Sequence, residues 1–431
     1  MLFRAYTGLA PAIAAAFLIV GCPGPAPAPP SDAGPRDAAR RDSGDSGPPA
    51  DAGDGGGTDS NVDGDLPDGG IDPGSCAFIA ADDLYELATD STDRPRLVSV
   101  ATTPTGFAVA YATFSVGFQE VWMAAIPSSG PPGGSLQLTM DLATSLEPAI
   151  AWGGSSWLVS WFSNRDGAFE IYARGFGLDF RPTGPRQRLT NDAIREDNPA
   201  MAALADGSRI AWVAQAVDGT RTASTAALTS LGALVAPAVP VTAAGLRPTA
   251  PVLVQRMGGY ALAWGDPSGD AVIVPLDMSG TASTPVVLSS EHTADGSVDL
   301  TLGLAGGVAV FGTLQGGIRP EIHAVPLDET AAIAGGERSL SIGMQTGRDA
   351  SVTSLLGGYA VSYRALDTNM LRVVFLSLTL DEVARLDLVS VTPDGGRTTI
   401  RASGDGALLI GWADRVSATE VRLRAARIRC N

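Results

Sequence analysis

The sequence predicts an all-β fold, a seven-bladed β-propeller of four-stranded antiparallel blades, from three observations. A motif recurs with a period of about fifty residues, in which a turn precedes a short apolar strand that ends in an aromatic residue. Short segments of alternating apolar and polar residues, bounded by Gly, Pro, Asn and Asp, fill each period. No segment shows a sustained 3.6-residue apolar periodicity, which argues against helical repeats. A four-stranded blade needs about this much chain, so the period selects a propeller.

The motif that defines the blades occurs seven times. Its copies are residues 106–111, 156–161, 207–212, 259–264, 307–311, 358–363 and 407–412. The aromatic residues that end them are Tyr111, Trp161, Trp212, Trp264, Phe311, Tyr363 and Trp412. Because these rings recur at one position of the repeat, we expect them to pack between adjacent blades rather than to stack on a ligand.

The second repeat shows the four strands of one blade most clearly. They are predicted at 148–152, 157–162, 169–176 and 186–190. Residues 163–192, which include SNRDGAFEIYARGF and RQRLTND, resemble the repeat of TolB-type periplasmic propellers. The resemblance supports the architecture but does not imply TolB's partners, because the chain shows no TolB-type N-terminal domain between its linker and its repeats.

The last repeat has only three strands, predicted at 398–403, 407–412 and 420–429. Residues 84–90, before the first full repeat, are similar to the fourth strand of the second repeat. We therefore expect this N-terminal strand to complete the last blade and to close the ring, which removes exposed sheet edges. Cys76 and Cys430 flank the propeller domain, predicted at 76–431, and outside the cytoplasm they are expected to form a disulfide.

Residues 1–21 have the features of a secretory signal peptide, with Arg4 before an apolar stretch that is short for a membrane span. Residues 19–22, Ile-Val-Gly-Cys, resemble the lipobox of bacterial lipoproteins. The resemblance implies cleavage before Cys22 and acylation of that cysteine, with chains such as palmitate, so that the N-terminal lipid binds the membrane. Pro23 favours the outer membrane over the inner one, with the protein facing the periplasm or the cell surface. An ordinary signal peptide that contains a cysteine is the alternative.

Residues 22–75 are predicted to be a disordered linker, rich in Asp, Gly, Pro and Ala and almost free of aliphatic side chains. Such tethers resemble those of myxobacterial surface lipoproteins. One part of the linker places oxygen ligands at alternate positions, at Asp59, Asn61, Asp63, Asp65 and Asp68. It resembles part of a thrombospondin type 3 repeat, but Gly70 stands where a calcium loop has its bidentate Glu. A solvated spacer is expected, with calcium binding as the alternative and no other cofactor.

Composition and motifs exclude several classes of function. The formal net charge is −17 and there is no lysine, so nucleic-acid binding and lysine chemistry are not expected. The two histidines, His292 and His323, belong to different repeats. The sequence contains no HExxH, GxSxG or Walker motif. The domain is expected to be a monomer.

The candidate functional site is a ring of polar residues at one mouth of the central channel, where the inner strands begin. By repeat alignment the ring comprises Arg94, Glu147, Asn198, Arg247, Asp349 and Arg397, with Val298 in the fifth repeat. Loops on the same face add Arg165 and Asp166. Arginines around one mouth could hold a carboxylate, a phosphate or an acidic sugar. The alternative is a solvated rim in which Arg and Asp pair with each other.

These features favour a binding or interaction module, displayed on a tether, for a protein, an anionic glycan or a metabolite. The alternative is a propeller-type carbohydrate-active enzyme, a glycosidase or lyase, that acts at the channel mouth. Such an enzyme needs a carboxylate pair, or a histidine beside an acid, at that mouth. A structural scaffold of the cell envelope is a third possibility.

Overall fold

The computed structural model describes residues 76–430 except 91–97, 104–105, 116, 193, 205–206, 242–246, 267–269, 290–296, 316–318 and 342–345. The chain divides into units 1–64 and 65–431, and every described residue belongs to the second. The predicted signal peptide, Cys22, the linker with its Asp-rich motif, and Arg94 lie outside the described residues.

The predicted seven-bladed propeller is confirmed: seven four-stranded antiparallel sheets form a ring. From the inner to the outer strand, blade 1 is β2 (Ser99–Thr103), β3 (Gly106–Ser115), β4 (Phe118–Pro127) and β5 (Ser135–Gln137); blade 2 is β6 (Ser145–Trp152), β7 (Trp157–Ser163), β8 (Glu170–Phe176) and β9 (Gln187–Arg188); blade 3 is β10 (Arg195–Leu204), β11 (Gly207–Gln215), β12 (Arg221–Thr229) and β13 (Val239–Pro240). Blade 4 is β14 (Val252–Arg256), β15 (Gly259–Gly265), β16 (Ala271–Asp277) and β17 (Val286–Ser289); blade 5 is β18 (Val298–Gly303), β19 (Gly306–Gln315), β20 (Arg319–Leu327) and β21 (Arg338–Ser339); blade 6 is β22 (Gly347–Leu355), β23 (Gly358–Ala365), β24 (Met370–Ser377) and β25 (Glu382–Ser390). Blade 7 is β26 (Thr399–Ala402), β27 (Leu408–Ser417), β28 (Glu420–Ile428) and β1 (Leu84–Asp90), which follows the short helix α1 (Ala80–Asp83).

The hydrophobic core lies between the blades, where the faces of neighbouring sheets pack on each other. The second strands are almost wholly buried because both of their faces are covered. Each of the seven recurring aromatic residues is at most 2% exposed, and Trp161, Trp264 and Trp412 are among the largest fully buried side chains. The prediction that these rings pack in the core is therefore confirmed.

The ring closes as predicted, because β1 pairs antiparallel with β28 as the outer strand of blade 7. Just before β1, Ala77 and Arg429 exchange two backbone hydrogen bonds of 2.8 and 3.0 Å. Cys76 and Cys430 form the expected disulfide across 354 residues of sequence. Backbone pairing and a covalent bond thus join the two ends of the propeller.

A buried ion cluster lies beside this closure. Asp83 accepts hydrogen bonds from Arg427 Nε at 3.1 Å, Arg427 Nη2 at 3.0 Å and Arg429 Nη2 at 2.6 Å. Arg427 Nη1 also donates to the backbone oxygens of Pro127 and Gly130 in blade 1, at 2.7 and 2.8 Å. The cluster therefore connects the N-terminal segment, blade 7 and blade 1.

Candidate functional site

The seven inner strands, β2, β6, β10, β14, β18, β22 and β26, enclose a central channel of about 560 Å³. This volume falls within the range of small-molecule sites, roughly 300–1,000 Å³. The end of the channel at which the inner strands begin is called the mouth below. The channel therefore offers a concave, preformed space for a small ligand.

Three blades have the same backbone irregularity at the mouth. The inner strands of blades 2, 3 and 6 each carry a β-bulge just after they begin, where the register against the second strand shifts. At these bulges Glu147, Asn198 and Asp349 adopt left-handed φ values of 44°, 53° and 59°. A bulge redirects a side chain at the cost of a paired residue, and all three residues line the channel.

Half of the eight residues that the sequence placed at the rim line the channel: Glu147, Asn198, Asp349 and Arg397. In blade 4 the residue at the place of Glu147 is Ala250, three positions after Arg247. The register sets this equivalence, because Leu253 pairs with Leu262 in blade 4 as Ile150 pairs with Val159 in blade 2. Arg247 itself is exposed, and its backbone N–H donates to Asp266 Oδ2 at 2.6 Å. In blade 5 the equivalent residue is Ser297 rather than Val298. The repeat alignment was thus wrong by three residues in blade 4 and by one in blade 5.

Arg165 and Asp166 lie on the loop between β7 and β8, away from the channel lining. Arg165 pairs with Asp166 at 3.3 Å and with Asp141 at 3.5 Å. Tyr172 donates a hydrogen bond of 2.8 Å to Asp166, which lowers the pKa of that carboxyl. These two residues form a partly exposed ion-pair network of little net energy, as the alternative interpretation of the rim expects.

Arg397 crosses the channel at its mouth. The side chain leaves blade 7, and its Nη1 donates at 3.3 Å to the backbone oxygen of Ala250 in blade 4. Blades 4 and 7 are three blades apart around the ring, which is the largest separation possible in a ring of seven. The guanidinium group therefore lies over the opening.

Asp349, unlike Arg397, forms an ion pair with a residue of its own blade. Its Oδ2 lies 3.3 Å from Nε of Arg364, a fully buried residue of blade 6. Arg364 also donates to the backbone oxygens of Thr392 at 3.1 Å and of Gly396 at 2.9 Å, and burial lowers the pKa of its guanidinium. Asp349 is therefore part of the contact between blades 6 and 7, and its charge is compensated from behind the channel wall.

Deeper in the channel the structure brings together Asp299, Ser351 and Arg401, which the sequence did not single out. Asp299 of blade 5 accepts the Ser351 hydroxyl and the N–H of Val352 at 3.0 Å, both on blade 6. Arg401 of blade 7 reaches Asp299 Oδ2 at 3.4 Å. The only sequence signal for this group is a charged residue at a position where other inner strands carry small or aliphatic residues.

Hydroxyl and carboxylate side chains accept hydrogen bonds from backbone N–H groups on the free edges of the inner strands. Ser351 Oγ accepts the N–H of Ile400 at 3.1 Å, and Thr353 Oγ1 accepts the N–H of Ala402 at 3.2 Å. Val352 donates to Asp299 in the same way. An innermost strand has no further strand to pair with, so such bonds satisfy its backbone groups and join adjacent blades.

As a result, the two sides of the channel differ in chemistry. The polar arc, contributed by blades 5, 6 and 7, comprises Asp299, Thr301, Ser351, Thr353, Thr399 and Arg401. The apolar arc, contributed by equivalent positions of blades 2, 3 and 4, comprises Ala149, Ala151, Ala200, Val252 and Val254. The channel can therefore contact polar and apolar parts of one ligand at the same time.

Acidic and histidine side chains elsewhere in the described residues do not form a metal site. No three acidic, histidine or cysteine side chains among them lie close enough to hold a metal ion. His323 lies on β20, away from the channel lining, between Glu321 at 3.5 Å and Glu337 at 2.5 Å.

No helix within the described part of the chain is long and apolar enough to cross a membrane.

Comparison with known proteins gives no family. No family model and no curated protein matches the sequence. Similar solved structures include the N10 neuraminidase-like protein of A/little yellow-shouldered bat/Guatemala/060/2010, with 10% identity and a TM-score of 0.45 over 81% of this chain and 99% of that one. The hemagglutinin-neuraminidase ectodomain of parainfluenza virus 5 has 8% identity and a TM-score of 0.44 over 68% of this chain and 83% of that one. At these values the likeness supports no argument about function.

Proposed function

We propose that this chain is an outer-membrane lipoprotein whose propeller binds a small molecule in its central channel. The observation that carries the proposal is the channel itself, a cavity of about 560 Å³ with a polar and an apolar arc and with Arg397 over its mouth. Sites for small molecules are usually concave and mostly apolar, with a few fixed polar groups. The central channel has these properties.

Binding is favoured over catalysis by the state of the acidic groups near the channel. Of the three described carboxylates that line the channel, Glu147, Asp299 and Asp349, Asp299 is paired with Arg401 and Asp349 with Arg364. His323, which does have acidic neighbours, is outside the channel lining. A general acid or base must reach its substrate, so these pairs fit the binding module better than the glycosidase or lyase alternative.

The direction of the channel suits a protein held by its N-terminus. Cys430 follows the end of β28, and β28 ends level with Ala402, at the opposite end of the inner strand from Arg397. Cys76 is bonded to Cys430. Cys76, the first described residue, therefore lies at the end of the propeller away from the mouth, which is the end where a tether would attach.

Binding is tested by a ligand-observed NMR screen of a metabolite library on the mature protein and on two tryptophan variants. Ala203 is exposed and lines the channel, so Ala203→Trp should fill the lumen and abolish binding. Ala236→Trp, at an exposed position of the same blade outside the channel lining, is the matched control and should bind as the wild type does. Ligands that bind all three proteins equally would refute the channel as the site.

The anchor is tested separately by fractionation of cells that express the full chain. Cys22→Ala should abolish acylation and release the protein from the membrane fraction, because the lipobox cysteine provides the acylated thiol. Cys76→Ala, which removes a cysteine outside the lipobox, should remain in the membrane. Unchanged membrane partition of Cys22→Ala would refute the lipoprotein assignment.

A further inference from the structure

We propose that the channel binds an organic carboxylate with an apolar body, and that Nε and Nη2 of Arg401 hold the carboxylate. The inference rests on the proposed binding function and names the class of ligand. It depends on how the guanidinium group of Arg401 is held and on which of its N–H groups remain accessible.

Contacts within the channel wall fix one nitrogen of Arg401. Nη1 donates to the backbone oxygen of Ile400 at 2.7 Å and lies 3.4 Å from both the backbone oxygen of Val352 and Oδ2 of Asp299. To reach Asp299, which is two blades away, the side chain must lie along the channel wall. The position of the guanidinium group is therefore set before any ligand binds, which reduces the entropic cost of binding.

The other edge of the same guanidinium group is available. Nε and Nη2 of Arg401 make no hydrogen bond to any described residue, and they are not among the buried unpaired atoms of those residues. The side chain is 31% exposed, and Arg401 lines the channel. Nε–H and Nη2–H point in parallel from one side of a guanidinium group, and their spacing matches the two oxygens of a carboxylate.

The charges around Arg401 are compatible with an anion. Asp299 is already bonded to the N–H groups of Leu300 at 2.9 Å and Val352 at 3.0 Å and to the Ser351 hydroxyl, so its charge is spread over several donors. Arg397, whose backbone position is about 13 Å from that of Arg401 along the same inner strand at ~3.3 Å per residue, adds a second cationic group across the mouth. The mouth therefore carries Arg397 together with the carboxylates Glu147 and Asp349, of which Asp349 is paired with Arg364, and Arg401 is the cationic group inside the channel.

The apolar arc determines the rest of the ligand. Deeper in the channel than Glu147 and Asn198, the wall opposite the polar arc carries small and aliphatic side chains such as Ala149, Ala200 and Val252. These side chains offer no hydrogen bond, so contact with them favours an apolar body over a sugar or a second charge. A carboxylate with an alkyl or aryl tail satisfies both arcs, whereas a free phosphate would leave the apolar arc uncovered.

The test compares matched pairs of probes that differ only in charge: 4-phenylbutyrate with 4-phenylbutyramide, and octanoate with octanamide. Affinities for the mature wild-type protein are measured by isothermal titration calorimetry or by ligand-observed NMR. Each carboxylate should bind at least about tenfold more tightly than its amide, since the amide cannot accept two charge-assisted hydrogen bonds. Inorganic phosphate should not displace the carboxylates. Equal affinity within both pairs, or displacement by phosphate, would refute the inference.

Variants locate the carboxylate. Arg401→Lys keeps a positive charge near Asp299 but removes the parallel N–H pair, so it should weaken carboxylate binding about tenfold and leave amide binding unchanged. Arg181→Lys, an 86% exposed arginine on a turn outside the channel lining, is the control. If Arg401→Lys binds both carboxylates as the wild type does, Arg401 is not the receptor. The screen could instead find ligands whose binding Ala203→Trp abolishes, while neither carboxylate binds the wild type. That result would support the proposed binding function and refute the inference about carboxylates.

Discussion

The closure of the ring gives a sharp test of the architecture, because a single carboxylate can be removed from the buried cluster. Asp83 and Arg427 are each about 1% exposed, and Asp83 accepts three hydrogen bonds from Arg427 and Arg429. Asp83→Asn keeps the shape of the side chain but leaves the two arginines without their counter-ion. The neighbouring Asp82 is exposed, so Asp82→Asn changes the net charge equally without disturbing the cluster.

Breaking a buried ion pair by removing one partner costs about 3–5 kcal/mol. Arg427 keeps its bonds to Pro127 and Gly130, so we expect the lower end, about 3 kcal/mol. For a domain of about 350 residues, an unfolding entropy of ~2.1 cal/mol/K per residue converts this into a fall of roughly 4 °C in Tm.

The assay is thermal unfolding at pH 7 without reductant, followed by circular dichroism and by calorimetry. Asp82→Asn should melt within about 1 °C of the wild type, as surface substitutions usually do. The reasoning is refuted if Asp83→Asn melts with Asp82→Asn, because the cluster would then contribute nothing to closure.

Three further predictions concern the disulfide, a buried carboxyl group and the channel mouth. The Cys76→Ser/Cys430→Ser double variant should still fold, since β1 pairs with β28, but should melt lower; the 354-residue loop gives an upper bound of roughly 5–6 kcal/mol, and an unchanged Tm would contradict it. Burial, together with the nearby Asp192, raises the pKa of Glu196 to about 8 from 4.5. The folded state therefore binds an extra proton between these values, so stability should fall as pH rises from about 5 to 8, and Glu196→Gln should reduce that fall in pH-dependent melts. Arg397→Ala should change ligand association rates at the mouth more than Arg247→Ala, as measured by stopped flow, because Arg397, unlike Arg247, crosses the opening.

The sequence predicted the strands of the blades better than the site. Strand positions follow from local patterns: residues 84–90 were predicted as the closing strand, and β1 spans Leu84–Asp90. The rim depended on aligning the first residues of each repeat, and there the pattern is weakest. In blade 4, Pro248 and Pro251 offer two registers, and the pairing of β14 with β15 selects the one that places Ala250 at the channel.

The sequence by itself determined the repeat, the number of blades, the buried aromatic positions and the pairing of Cys76 with Cys430, because each depends on periodicity or on which ends of the chain must meet. Only the tertiary structure decided which side chains share the channel. Asp299, Ser351 and Arg401 are separated by about fifty residues at each step, and they meet because three successive inner strands lie side by side around one axis. Contacts between blades depend on side-chain reach across the ring, as in the bond from Arg397 to Ala250, and no local pattern in the sequence encodes that reach.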